Sequence, residues 1–499
     1  MVIDDVTNLD SLPVYDLPLV NELWNMLRSY VDDVSDGLIT DRILKFFAII
    51  KFFTTEFQTS GNSTELSQND IKFMMDSFVQ LVVKICNRLV FLFSATRSEL
   101  KDAIKTVSEF KEPEYNPGKV LDHNLESYGI IPPHSNTFSV LTYLIQVQNQ
   151  LFGVLKTLRE KTKSEGSASV NSTINFTIKT INQNIVRGFL CYFIMDIKNL
   201  CTLENWTMSD RFKGCTNFPQ FLLNFYKIFI MKVKQLLVLD GSEDLVKEVY
   251  RQFVESFNYV IEGQLKTVVL KNQEDEKKKD FYLLATLSNL SCLKLKIIPR
   301  VLTTFDNNFG SKLATSNLPL YSKLESTEQK IYDEYLKDYK AQLTSILGDG
   351  IRKTDWFHVK LPQQVDQIIV SSFVLQSLNL INLLKAKLLG LKCNKTYILK
   401  IEIALINYLI EKLIDFLKEI KQFSSSGLLK ITIDLRFLVR VFENFSKIES
   451  NKGLLRVDVL NSVTNKFLKK NTSDIQFVES VVLENLRTNE SQMDCILIN

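Results

Sequence analysis

The sequence predicts an all-α protein in which consecutive helical bundles stack into an elongated rod. Glycine (16) and proline (10) are scarce in a chain of 499 residues, so few helices should be interrupted. Hydrophobic residues make up 45% of the chain, which is enough to build sizeable cores. Apolar residues recur at spacings of three and four in many segments, and this is the period of an amphipathic helix.

The clearest periodic segment is 397–421, where apolar residues from Leu405 to Ile420 alternate with charged ones. At 1.5 Å per residue, a helix of this length spans roughly 37 Å. A second apolar stripe covers 363–389, and Gly390 fits the stop at its C-terminus. These two helices should form an antiparallel hairpin that turns around 390–396.

The same period predicts the remaining helices, and composition predicts the linkers. Further helices are expected over 17–30, 41–57, 68–94, 137–160, 174–203, 217–238, 243–270, 280–306, 327–347, 428–446, 454–470 and 474–487. Linkers are expected over 58–67, 108–136, 161–172, 271–279, 307–326, 348–362, 422–427 and after Glu490. No repeat of fixed period is present, which favours bundles over a solenoid. We therefore predict three regions, with a first bundle over 1–115, one or more bundles over 120–310 and a C-terminal set over 325–499.

Charge and cysteine usage narrow the class of protein. Lys plus Arg (60) nearly balances Asp plus Glu (57), so no global charge drives the chain toward nucleic acid. Seven cysteines, an odd number without a CxxC pair, indicate reduced thiols in a cytosolic protein. The N-terminus has no apolar signal segment, and no run reaches ~18 uncharged apolar residues. We expect a cytoplasmic protein without a membrane span.

Residues that could carry catalysis are few. The three histidines, His123, His134 and His358, each lie in or beside a predicted linker without a second ligand at helical spacing. The phosphate-binding, nucleophile-elbow and zinc-protease motifs are absent from the sequence. Gly348-Asp349-Gly350 is the one glycine-dense position and is expected to be a helix C-cap followed by a loop. We expect no enzyme, no catalytic residue, no metal and no cofactor.

Candidate binding residues each have two interpretations. Trp24, Trp206 and Trp356 could anchor an interface, although a core contact is favoured two to one. Lys466, Lys469 and Lys470 could contact phosphoinositide headgroups, with a solvated helix face as the favoured interpretation. Two further charged groups are expected to be solvent-exposed helix faces or loops: Asp333, Glu334, Lys337 and Asp338, and Lys277, Lys278 and Lys279.

Four segments in order suggest a family. They are Tyr128–Leu144 with its Pro-Pro start, Leu203–Asp210 followed by Thr216–Phe221, Leu283–Leu290 running into Ile297–Leu302, and Asp355-Trp-Phe followed by Leu361-Pro. Together they resemble the C-terminal half of exocyst complex component 2 over about 120–450. The Asn- and Lys-rich composition is typical of a fungal member, of a budding-yeast type.

The resemblance implies a rod of helical bundles in an eight-subunit assembly that tethers secretory vesicles to the plasma membrane before fusion. It implies a structural role without catalysis, with components 1, 3 and 4 as partners and Rab- or Rho-type small GTPases meeting the complex indirectly. It also implies peripheral membrane contact at the bud tip and bud neck. Typical members are longer and begin with core-bundle helices, and animal members also carry a GTPase-binding domain. Neither region is expected to have a counterpart here.

Two other interpretations remain open. The chain could belong to another helical-rod tethering complex that acts at the Golgi or endosome, which its location in the cell would reveal. It could also be an enzyme with an unrecognised site, which would require a cleft with convergent, pKa-perturbed residues. The scarcity of histidine argues against the enzyme.

Overall fold

The computed structural model describes most of the 499 residues. The described residues are 18–60, 67–96, 98–100, 102, 131, 137–163, 168–237, 243–314, 319–390, 395–446, 456–470 and 475–490. Within them the fold is all-α, as the sequence predicts, and β pairing in these ranges is limited to isolated bridges such as Met208–Thr216. The predicted linker 108–136 falls almost wholly outside these residues, as do His123, His134, Cys393, Cys495 and the tail after Glu490.

The helices follow the predicted order. They are α1 (Pro18–Asp32), α2 (Leu44–Ser60), α3 (Gln68–Ser94), α4 (Thr137–Thr162), α5 (Ala168–Leu200), α6 (Phe218–Leu236), α7 (Glu243–Glu274), α8 (Lys279–Cys292), α9 (Ile298–Phe309), α10 (Pro319–Arg352), α11 (Ser372–Gly390), α12 (Lys395–Glu419), α13 (Ser425–Ser446), α14 (Val457–Lys470) and α15 (Ile475–Thr488). The chain divides into two compact units. Unit 1 comprises Met1–Leu203, Phe221–Gly263 and Ile298–Leu320, and unit 2 comprises Glu204–Gln220, Gln264–Ile297 and Tyr321–Asn499.

Aromatic side chains build the core of unit 1. Phe193 of α5 stacks on Phe229 of α6 with ring centroids 3.9 Å apart, and Phe253 of α7 stacks on Phe305 of α9 at 4.5 Å. All four rings are fully buried. Buried aromatic rings contribute both large apolar area and favourable ring geometry, so the many phenylalanines of this sequence are used mainly as packing residues.

Buried polar side chains fix the chain path in unit 2. The carboxylate of Asp434 in α13 accepts a hydrogen bond from the backbone N–H of Ser371 at 2.8 Å. The Asn485 side chain of α15 accepts from Val370 N–H at 2.9 Å and donates to the Ile368 carbonyl at 2.7 Å. These bonds supply hydrogen-bond partners to backbone groups of Ile368, Val370 and Ser371, which form an extended stretch before α11. Buried backbone groups need such partners.

Several element boundaries differ from the predicted ones. The stretch between the predicted helices 17–30 and 41–57 is not a break, because a π-helical segment, Asp33–Ile43, joins α1 to α2. The linker predicted over 161–172 ends early, since α5 already begins at Ala168. Another π-helical turn, Leu293–Ile297, divides the predicted helix 280–306 just before Pro299, whose ring cannot sit in a regular helix interior.

The predicted C-cap and loop at Gly348-Asp349-Gly350 is wrong, because α10 continues to Arg352. Glycine serves close packing here. A Cβ at Gly350 would collide with the Cβ of Phe373 in α11, and one at Gly348 would lie 3.4 Å from the ring of Phe416 in α12. Gly350 therefore lets α11 approach α10 closely, whereas a Cβ at Gly348 would make an ordinary van der Waals contact with Phe416.

Candidate functional site

The three tryptophans pack against neighbouring side chains of their own units. Trp24 is buried and stacks on Tyr143 of α4, with centroids 4.9 Å apart and ring planes at 7°. The indole N–H of Trp356, also buried, donates to the carbonyl of Ile351 at 2.8 Å. Trp24 and Trp356 are therefore core residues, which agrees with the favoured interpretation.

Trp206 is half-buried and packs on Tyr282 of α8 at 4.7 Å. It is also the one non-glycine residue with positive φ (59°) in the part of the chain that the structure describes. Such a backbone is uncommon for a bulky side chain and persists where surrounding contacts enforce it.

The charged candidates lie at the solvent. His358 is exposed, and its Nδ1 lies 2.7 Å from Oδ2 of Asp355. This contact lowers the pKa of the Asp355 carboxyl. Lys279, which is half-buried, forms ion pairs with the exposed carboxylates of Glu334 at 3.3 Å and Asp338 at 3.5 Å. Within the described ranges, no group of three or more His, Cys, Asp or Glu side chains could hold a metal ion.

One buried polar cluster was not predicted. The carboxylate of Glu204 accepts hydrogen bonds from the Thr216 hydroxyl at 2.7 Å and from Trp206 N–H at 2.8 Å. The amide of Asn289 in α8 donates to Thr216 at 2.8 Å and lies 3.3 Å from Glu204. Burial raises the pKa of Glu204, and these donors offset only part of that rise. The sequence signal is weak, because each residue is separate in the chain and unremarkable alone.

A different feature has the character of a binding surface. On α2 and α3, the apolar side chains of Phe52 and Phe73 are 59% and 73% exposed, and Ile49 of α2 and Leu81 of α3 are exposed as well. Phe47 and Phe78 meet inside the α2–α3 pair with centroids 5.0 Å apart. We call Ile49, Phe52, Phe73 and Leu81 the α2–α3 apolar face.

The composition of α3 also indicates that this helix is more apolar than its neighbours can cover. Among the residues that the structure describes, two stretches are long and apolar enough to cross a membrane by length and composition alone: Gln68–Ser94, with 33% of its apolar window buried, and Glu276–Phe309, with 72% buried. The second is explained by core packing. The first carries more apolar surface than its own unit covers, and large exposed apolar surface marks interaction sites.

The basic C-terminal candidates line a shallow depression on α14. Its volume is about 380 Å³, and it is lined by Asp458, Asn461, Ser462, Asn465, Lys466 and Lys469. The depression is open and holds two of the three predicted lysines beside one carboxylate.

Helices, exposed apolar side chains and exposed ion pairs define this chain as a helical interaction protein. A model of the family described as exocyst complex component Sec5 matches residues 5–496, a wider range than the resemblance over 120–450. The chain belongs to this family, and it is therefore an exocyst subunit that functions in vesicle tethering. The family is one of structural tethering subunits and not of enzymes. Searches of curated proteins and of solved structures found no match.

Proposed function

We propose that this chain is the component 2 subunit of a fungal exocyst and that it binds components 1, 3 and 4 through exposed helix faces. The single observation that carries the proposal is the α2–α3 apolar face. A helix of another subunit would cover Phe52 and Phe73 and remove their apolar area from water. Burial of an exposed phenylalanine contributes about 1.5–3 kcal/mol, so two such anchors support a specific contact.

The tethering role follows from having several such faces. Three bundles, over 1–115, 120–310 and 325–499, stacked as a rod would give reach and many surfaces without specialised residues. Modest interfaces act together through effective concentration once the first one forms. This supports assembly with several subunits at once, with Rab- or Rho-type small GTPases meeting the complex indirectly.

The test is co-purification from cells that express a tagged chain. F52E/F73E places two carboxylates on the α2–α3 apolar face, and recovery of components 1, 3 and 4 should fall at least tenfold. The matched control is L383E/L389E, which makes the same charge change at two exposed leucines of α11. Full recovery with F52E/F73E, at normal expression, would show that the face is not the interface.

Location tests the finer assignment. A fluorescently tagged chain should concentrate at the bud tip and bud neck of a budding fungus, where the plasma membrane receives secretory vesicles. Accumulation in Golgi or endosomal puncta would contradict it.

Peripheral membrane contact would use Lys466 and Lys469 at the end of α14, and the side chain of the third predicted lysine, Lys470, lies outside the described residues. Each basic residue near an anionic surface contributes about 1 kcal/mol, so this contact could support tethering but not replace protein partners. K466E/K469E should reduce flotation of the purified chain with phosphoinositide-containing vesicles. Flotation equal to wild type would remove α14 from the proposal.

A further inference from the structure

The segment between α5 and α6 is tied to α8 at several points. Within the segment, Ser209 N–H donates to the Cys215 carbonyl at 2.8 Å, and Asn217 N–H donates to the Thr207 carbonyl at 2.9 Å. These bonds fold residues 204–217 into a hairpin-like loop, which we call the strap. Asn289 Oδ1 of α8 accepts from the N–H of Thr216 at 3.0 Å, so the strap is held against this helix.

Two cysteines meet where the strap crosses α8. The thiol of Cys215 lies 3.4 Å from the carbonyl oxygen of Ser288, and it also donates a hydrogen bond to the sulfur of Cys292. Ser288 and Cys292 are four residues apart and so share one face of α8. The two thiols, 77 positions apart in sequence, therefore face each other in hydrogen-bonding contact. Both are free and retain a small exposed fraction, 5% for Cys215 and 6% for Cys292.

The charges around the pair favour one thiolate. The hydrogen bond from Cys215 lowers the pKa of Cys292, and the nearby ammonium group of Lys296 lowers it further. The same hydrogen bond raises the pKa of Cys215, because Cys215 donates its proton in it. Lys296 is held close because its ammonium group also lies 5.6 Å from the ring centroid of Phe212 in the strap. Cys292 is thus the nucleophile of the pair, because thiolates and not thiols react with oxidants.

We propose that Cys215 and Cys292 form a reversible dithiol–disulfide site that hydroperoxides oxidise, fastening the strap covalently to α8. The Cys292 thiolate attacks one oxygen of hydrogen peroxide, the O–O bond breaks, and the other oxygen leaves as hydroxide, which takes up a proton to become water. The Cys292 sulfenic acid is then attacked by the sulfur of Cys215, whose proton leaves with the hydroxyl group as a second water. Two thiols and one peroxide give one disulfide and two waters, and a dithiol reductant reverses the step.

The environment of Cys86 in α3 provides the contrast. Burial raises the pKa of Cys86 to about 11, and its hydrogen-bond partner is Thr177 and not a second thiol. A buried thiol of this kind is inert toward oxidants. Cys86→Ser therefore serves as the matched control, since it removes a buried cysteine and leaves the pair intact.

The experiment uses the purified full chain. Native protein is treated with hydrogen peroxide, remaining thiols are blocked with N-ethylmaleimide in denaturant, and non-reducing digests are analysed by mass spectrometry. We expect a linked peptide joining Cys215 to Cys292, lighter by two hydrogen atoms than the two thiol peptides, and its loss on treatment with dithiothreitol. Cys86→Ser should retain this peptide at full yield. Cys215→Ser should lose it and instead yield a dimedone adduct on Cys292.

Two further measurements keep the proposal open to contradiction. Phenylarsine oxide bridges two adjacent thiols, so one equivalent should bind to the native chain and none to Cys292→Ser. Hydrogen exchange over residues 204–217 should slow on oxidation. Natively folded chain that gives no Cys215–Cys292 peptide, or that links either cysteine equally to other cysteines, would overturn the proposal.

Discussion

A buried ion pair in unit 2 shows how the surroundings of a charged side chain set the free-energy cost of burying it. Lys385 of α11 and Glu402 of α12 are both buried, with 3.4 Å between Lys385 Nζ and Glu402 Oε1. Burial raises the pKa of Glu402, and the charge of Lys385 acts in the opposite direction. Each charge is tolerated because the other is present, since an isolated buried ion would be costly.

Breaking this pair should destabilise the chain strongly. Glu402→Gln removes the charge that pairs with the buried Lys385 ammonium, so the free energy of unfolding should fall by about 3–5 kcal/mol. The control is Asp349→Asn in the exposed pair between Asp349 of α10 and Lys353 just after it, where the change should stay within about 1 kcal/mol. Urea titrations monitored by circular dichroism measure both. Equal effects of the two substitutions would contradict the argument.

Glu204 gives unit 2 a pH-dependent contribution. Because burial raises its folded pKa above the ordinary value of 4.5, the folded state binds this proton more tightly than the unfolded state. The stabilisation is therefore complete below the unfolded pKa and is lost as pH rises through the folded pKa. Glu204→Gln stays neutral, so wild type should lose stability relative to this variant from pH 4.5 upward. A stability difference that does not change with pH would contradict this.

Among the helices, α10 and α4 contain glycines with opposite roles. At Gly350 a Cβ would collide with Phe373 of α11, whereas at Gly153 of α4 no atom lies within 4 Å. Gly350→Ala should lower the free energy of unfolding by about 1–3 kcal/mol, because overpacking forces backbone or side-chain shifts. Gly153→Ala should raise it by about 0.5–1 kcal/mol, because alanine lowers the entropy cost of an exposed helix. Chemical denaturation distinguishes the two signs.

The same helices show what the sequence could predict. The predicted segment 68–94 coincides with α3, whose N-cap Ser67 forms a capping box with Asp70, so local chemistry sets that boundary. The predicted start at 363 fails because Asp434 and Asn485, more than 60 positions away, bind the backbone before α11 in an extended form. The start at Pro319 was also missed, although proline is favoured in the first turn.

The α2–α3 apolar face could not be predicted from the sequence, because it too depends on tertiary contacts. Periodicity identifies an apolar stripe but not whether another helix covers it, and α2 and α3 are apolar on more than one face. Phe52 and Phe78 look equivalent in the sequence, yet Phe78 is fully buried and Phe52 is largely exposed. The choice is made by tertiary packing, which depends on residues distant in the chain.

At the scale of the whole molecule, net charge and the α2–α3 apolar face act together. The formal net charge is only +3, so long-range repulsion between copies of the chain is weak. An uncovered apolar face on a nearly neutral protein favours association, because contact between copies removes apolar area from water. In the assembled exocyst a partner subunit would cover this face and suppress self-association.

The purified chain without partners should therefore self-associate as its concentration rises. F52E/F73E should shift it toward monomer, since each carboxylate would have to be desolvated in the contact. L383E/L389E gives the same net charge of +1 at exposed leucines of α11, and it should leave association unchanged if the face and not the charge is responsible. Light scattering coupled to size-exclusion chromatography measures the mass of each variant. If both variants become monomeric to the same extent, net charge and not the α2–α3 apolar face controls association.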